Sequence, residues 1–129
     1  MRGLPLDDFK ILDDKLREHE RYQPPIMIGK NCFFDAAVHI QIAEMTGNRV
    51  LKWHLKMNME HVYLRARVDD YNTERMAKAP VEHRMLLKQM RDKNVLGSVE
   101  TIRNHIRSDK SYVLDCLSRN GSAAEAYAL

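Results

Sequence analysis

Asp35 and His39 stand four residues apart in the segment "FFDAAVHIQIAEMTGN", Phe33 to Asn48. In a helix, that spacing sets a carboxylate and an imidazole side by side on one face. At roughly 100° per residue, this face lies opposite Lys30, Gln41 and Glu44, which define a wet side. Unpaired charge is costly to bury, so an acid and an imidazole at the centre of a dry face need partners. The same puzzle recurs twice. His83 falls among Leu86, Leu87 and Met90, away from Arg84, Lys88, Gln89, Arg91 and Asp92. His105 falls near Ser98, Ile102 and Cys116, opposite Glu100, Arg103, Arg107 and Lys110. One such histidine alone reads as a core residue bonded to a backbone carbonyl. Three of them with an aspartate demand many partners at once, and a single divalent cation serves all four. Imidazole and carboxylate ligands suit zinc, and equally nickel, iron or manganese; zinc is the expected ion. No short metal-binding motif is present, so the expectation rests on spacing and inward placement.

A further helix pattern places Arg49, Lys52, Lys56, Glu60 and Arg67 on a wet stripe and Leu51, Asn58, Val62 and Arg65 opposite. An inward Arg65 with Asn58 beside a cation suits a carboxylate or phosphate ligand. The alternative for Arg65 is a pair with Asp69 or Asp70 at the helix end. His54 and His61 lie on the flank of this face and read as packing or surface residues. His19 reads as a partner of the C-terminal dipole of the first helix.

The elements that must carry these residues are helical throughout. The first runs from about Leu6 to Tyr22 on a stripe of Phe9, Leu12 and Leu16, and "YQPP" stops it. The second covers about Lys30 to Met45 and closes at Gly47. Asn48 caps the third, which reaches about Val68. "DDYNTERMAKAP" reads as a polar, partly helical connector, with Pro80 opening a fourth helix over Val81 to Lys93. Asn94 starts a fifth that extends to about Leu117, and "SRNGSAAEAYAL" reads as a frayed tail or a weak extra helix. Short connections between long helices predict an all-α, antiparallel helical bundle of about five to six helices, with residues 1–129 forming a single domain.

Composition narrows the function classes. Against 18 acids, 21 Lys and Arg give a net charge of +3, too weak to imply nucleic acid by itself. No apolar run approaches the roughly 20 residues of a bilayer span, and "MRGLPLDDFK" lacks the apolar core of a signal peptide. A cytoplasmic protein without membrane contact is expected. Cys32 and Cys116 do not make a disulfide framework.

The ordered set of these parts resembles the C-terminal effector-binding domain, of FCD type, of the FadR branch of GntR transcription regulators. The likeness rests on the Asp-x-x-x-His helix of Asp35 and His39 closing at Gly47-Asn48, on Glu82-His83 in a later helix, and on His105 in the last, 22 residues after His83. It spans about Asp7 to Leu117. It implies a bundle holding a divalent metal through Asp35, His39, His83 and His105, with a small organic acid as effector and a homodimer as assembly. Operator DNA would be bound only through a winged-helix domain, which is absent from these residues. The helix that normally opens such a domain is also missing, since "MRGLPLDDFKILDDKL" matches what should follow it. Two rivals to a metal-dependent sensor remain at this level. One is a metalloenzyme with Glu82 as base to a metal-activated water, set back because Glu82 falls about 100° from His83 around its helix. The other is a metal-free helical interaction domain. The expectation is a regulator domain and not an enzyme.

Overall fold

The computed structural model describes residues 6–22, 28–65 and 73–119. Within them lie five helices and no strand: α1 (Leu6–Arg21), α2 (Ile28–Met45), α3 (Arg49–Arg65), α4 (Thr73–Arg91) and α5 (Val95–Arg119). The architecture is an all-α bundle. No helix among the described residues is long and apolar enough to cross a membrane.

Two of the turns use the same local chemistry. Gly47 takes φ +72° after α2, a left-handed conformation open to glycine at little cost. Asn48 then caps α3, its Oδ1 accepting from the Leu51 amide at 3.0 Å. After α4, Lys93 takes the left-handed position with φ 57°, and Asn94 caps α5 by accepting from the Gly97 amide at 3.0 Å. Each side-chain oxygen satisfies one of the amides that a helix start leaves without an intrahelical acceptor.

The core sits where α1, α2 and α4 meet. Leu12, Leu16, Val38, Met45 and Leu87 form its buried cluster, and Phe9, Ile42 and Met90 pack against it. Helix α2 is central: it packs on α1, α3 and α4, while α5 packs mainly on α4. Gln41, expected on the wet side of α2, is buried. The Lys15 ammonium reaches over from α1 and donates to its Oε1 at 3.1 Å.

Two further expectations need correction. Helix α4 begins at Thr73, seven residues before Pro80, so most of the expected connector is its first two turns. A proline inside a helix removes one backbone hydrogen bond, yet Met76, Ala79 and Pro80 are all buried here, and that packing holds the segment helical. Asn58, expected to face inward, is exposed. Among the described residues, helix α3 packs mainly on α2, and those of its residues that are half-buried are Lys52, Leu55 and Met59. That stripe, and not the one through Leu51 and Asn58, faces the neighbouring helix.

Candidate metal centre

Helices α2, α4 and α5 converge on a group of imidazoles. The Nε2 atoms of His39, His83 and His105 form a triangle, each 3.1 Å from the other two. Asp35 lies one turn before His39, as their spacing requires, and its Oδ1 stands 3.8 Å from both His39 Nε2 and His83 Nε2. Each of the four residues offers one ligand atom, and all four atoms lie within 4.8 Å of one another. Side-chain exposure falls from 17% at Asp35 and 10% at His39 to 2% at His105 and 1% at His83. Asp35 is thus the most exposed of the four and His83 and His105 the most deeply set.

Hydrogen bonding among the three rings cannot explain the triangle. A bond between two Nε2 atoms needs one protonated and one bare nitrogen. Among three mutual neighbours, at least one pair must be alike. A cation suits the arrangement better. Nitrogens bound to one ion at about 2.0–2.1 Å stand roughly 2.9–3.4 Å apart for octahedral to tetrahedral angles, and 3.1 Å lies inside that range. The Asp35 oxygen stands outside that range, 3.8 Å from the His39 and His83 nitrogens and within 4.8 Å of all three, so a side-chain rotation must bring it closer to share the ion. Electrostatics agree. Burial pushes His39 below the ordinary imidazole value of 6.5, with the Asp35 carboxylate opposing the shift and His105 adding to it. Burial pushes His83 well below it, and the neighbouring His39, His105 and His19 rings push in the same direction. Both shifts favour the neutral imidazole, the form a metal ligand requires.

A family model for the FCD domain matches residues 4–108. The chain is an FCD domain. It is accordingly an effector-binding domain of the GntR class of transcription regulators. Curated proteins and solved structures give no match to it.

In this FCD domain the back of His105 is held by a network that the early start of α4 makes possible. Arg75 and Glu82 are seven residues apart, two turns along one face. Arg75 is buried. It donates from Nη1 and Nη2 to the two Glu82 oxygens, with the second bond at 2.7 Å, from Nε to Asp109 Oδ1 at 2.7 Å, and from Nη2 to the His105 carbonyl at 3.2 Å. His105 Nδ1 lies 2.9 Å from Glu82 Oε2. Arg75 Nη2 also lies 3.0 Å from His105 Nδ1. Its two hydrogens have acceptors in Glu82 Oε2 and the His105 carbonyl, and with them so used a His105 proton on Nδ1 goes to Glu82 and leaves Nε2 bare toward the cluster. This carboxylate–imidazole arrangement is the usual support of a metal-bound histidine. Burial works against the charge of Glu82 and of Arg75, but their mutual bonds outweigh it: the Glu82 carboxyl is held below its ordinary range and the Arg75 guanidinium above its own.

Three residues of this neighbourhood were missed by sequence reasoning. Arg75 and Asp109 were not singled out. His19 was assigned to a helix dipole but is fully buried against His83. Its signal was present: Leu12, Leu16 and His19 follow one another at i, i+4 and i+7, a single inward stripe. Of the expected effector residues, exposed Asn58 is not brought to the cluster, and the side chain of Arg65, the last residue of α3, lies outside the described residues. Those of Val62 and Cys116 do too, while Cys32 is buried. His54 and His61 are exposed, in keeping with their reading as surface residues.

Proposed function

We propose that this FCD domain is a metal-dependent sensor of small carboxylic acids within a GntR-type regulator. Asp35, His39, His83 and His105 would hold one divalent cation, zinc first among the candidates, and the acid would complete its coordination from the solvent-facing side past Asp35. The single observation that carries the proposal is the triangle of three Nε2 atoms at 3.1 Å with a carboxylate beside it. When bound, the cation supplies positive charge and an open position for an anionic oxygen. The protein's own residues do the rest. His39, His83 and His105 come from three different helices, so a ligand drawn to their centre acts on the relative placement of α2, α4 and α5. A ligand shifts such an equilibrium only as far as it prefers one placement over another. Transmission to operator DNA would pass through a winged-helix domain outside these residues.

Arg65 remains the proposed cationic partner of the acid, while Asn58, exposed on α3, is not retained. The proposal includes a homodimer, supported by exposed Val95, Leu96, Val99 and Ile106 on α5, an apolar surface suited to a partner. Glu82, the base of the enzyme alternative, contacts Nδ1 of His105, on the far side of that ring from the cluster, and is engaged by Arg75. No observation favours the enzyme reading.

Calorimetric titration tests the proposal. A panel of hydroxy-, keto- and sugar acids is titrated into metal-loaded, metal-stripped and His83→Ala protein. Binding confined to the loaded wild type is expected. Equal binding to the stripped protein, or elemental analysis showing no difference in metal content between wild type and His83→Ala, contradicts it.

A further inference from the structure

Helix α1 supplies none of the four cluster residues, yet it presses a fourth histidine against them. His19 is fully buried. Its Nδ1 lies 3.3 Å from Nδ1 of His83, and the two ring centroids are 5.3 Å apart at 45°. Its Nε2 lies 3.9 Å from Asp35 Oδ1. The ring thus stands behind one cluster residue and beside another, reaching from α1 to α4 and α2.

The chemistry of His83 says what this contact does. For Nε2 of His83 to present a bare lone pair to the triangle, the neutral ring must carry its proton on Nδ1. A buried N–H requires an acceptor, and the hydrogen-bond partner that the structure gives His83 Nδ1 is Nδ1 of His19. His19 accepts there only if its own proton is on Nε2, the atom on the Asp35 side. One choice of tautomer on His19 therefore fixes the tautomer of His83 and orients an N–H toward the Asp35 carboxylate. His105 achieves the same end differently, through Glu82.

We propose that His19 is the positioning residue of the centre: it accepts the Nδ1–H of His83, locks that ring with Nε2 facing the cluster, and ties α1 to the site. This rests on the cation proposal above but deepens it. It assigns the outer partner of His83 to an imidazole, a weaker acceptor than the carboxylate behind His105. Outer partners of metal-bound histidines are worth roughly 10–100-fold in metal affinity, and His19 falls in that class although it donates no bond to the ion.

The test uses the whole 129-residue chain in three forms: wild type, His19→Phe and His19→Gln. Phenylalanine keeps a ring of similar shape without an acceptor; glutamine restores an acceptor oxygen. Long-range proton–nitrogen spectra of the histidines, recorded on metal-stripped protein, report tautomers directly. His83 should carry its proton on Nδ1 in the wild type and in His19→Gln, and lose that preference in His19→Phe. Zinc affinity is then measured by competition with a chromophoric chelator. His19→Phe should bind roughly 10–100-fold more weakly while still reaching the wild-type stoichiometry, and His19→Gln should recover most of the loss. A wild-type His83 protonated on Nε2 overturns the proposal, and so does an unchanged affinity in His19→Phe. A lower stoichiometry in His19→Phe makes His19 a ligand, which also overturns it. If the wild type takes up no zinc, the cation proposal fails on its own account, while the spectra of stripped protein still decide the tautomer. Should His19→Phe fail to fold, the wild-type spectrum decides: a His83 proton on Nδ1 supports the proposal, and one on Nε2 overturns it.

Discussion

Replacing Arg75 with methionine removes the strut that joins α4 to α5 behind the cluster. The Arg75 side chain is 7% exposed and is bonded to Glu82 and Asp109 at 28% and 44% exposure. A hydrogen bond to a charged group nets about 1.5–3 kcal/mol. The Asp109 bond is screened by water and falls nearer the 0–1 kcal/mol of surface pairs. Methionine refills much of the volume but leaves the Glu82 carboxylate without its counter-charge. Breaking a buried pair costs about 3–5 kcal/mol, and the partial exposure of both acids sets the expectation at the low end, about 3 kcal/mol. That is a large part of the roughly 5–15 kcal/mol that holds a domain folded. The assay is urea denaturation of metal-stripped protein, followed by circular dichroism from pH 7 to pH 4. Glu82 has its carboxyl lowered in the fold from the ordinary 4.5. Its contribution is therefore fully present above that value and is lost as the pH falls through the lower folded value. The gap between wild type and Arg75→Met should narrow below about pH 4.5. A loss under about 1 kcal/mol at pH 7, the range of an exposed ion pair, refutes the assignment of Arg75 as a buried strut.

Other expectations follow from the same geometry. His19, His39 and His83 have lowered values in the fold, so the unfolded chain takes up protons first as the pH drops below 6.5. Metal-stripped protein should lose stability by up to about 1.4 kcal/mol per pH unit for each imidazole, visible as a falling Tm between pH 7.5 and 5.5; a flat Tm contradicts burial of neutral rings. Asn48→Ala removes the cap of α3 and should cost about 1 kcal/mol in denaturation, with metal content unaltered. Arg65→Met should weaken acid binding by calorimetry while leaving zinc stoichiometry as in wild type; a loss of metal would place Arg65 in a structural role instead.

Much of the cluster was legible because helical spacing alone aligns Asp35 with His39 and sets His83 and His105 on inward stripes. The two caps were legible for a similar reason: Asn48 and Asn94 are local signals, each acting within three residues. What escaped notice depends on non-local facts. Pro80 is a strong sign of a helix start, and only the burial of Met76, Ala79 and Pro80 against the bundle carries α4 back to Thr73. That extension brings Arg75 onto the Glu82 face, so misplacing one boundary hid the network behind His105. On α3 the charged and apolar residues are spread around the helix, and its packed face through Leu55 and Met59 followed from its one main neighbour, α2. Asn58 was placed inward on the wrong stripe for that reason. His19 stands near the end of α1 and was read against the helix dipole alone, while the i, i+4, i+7 stripe with Leu12 and Leu16 carried it inside.

The claim on which the functional account depends is that one cation is shared by side chains of α2, α4 and α5. X-ray absorption at the metal edge of zinc-loaded protein tests it most directly. The wild type should show three imidazole nitrogens with one or more oxygens at about 2.0–2.2 Å, and His83→Ala, which holds less zinc, one imidazole fewer around the zinc it retains. A chain that retains no stoichiometric zinc, or a spectrum showing fewer than three imidazoles in the wild type, contradicts it.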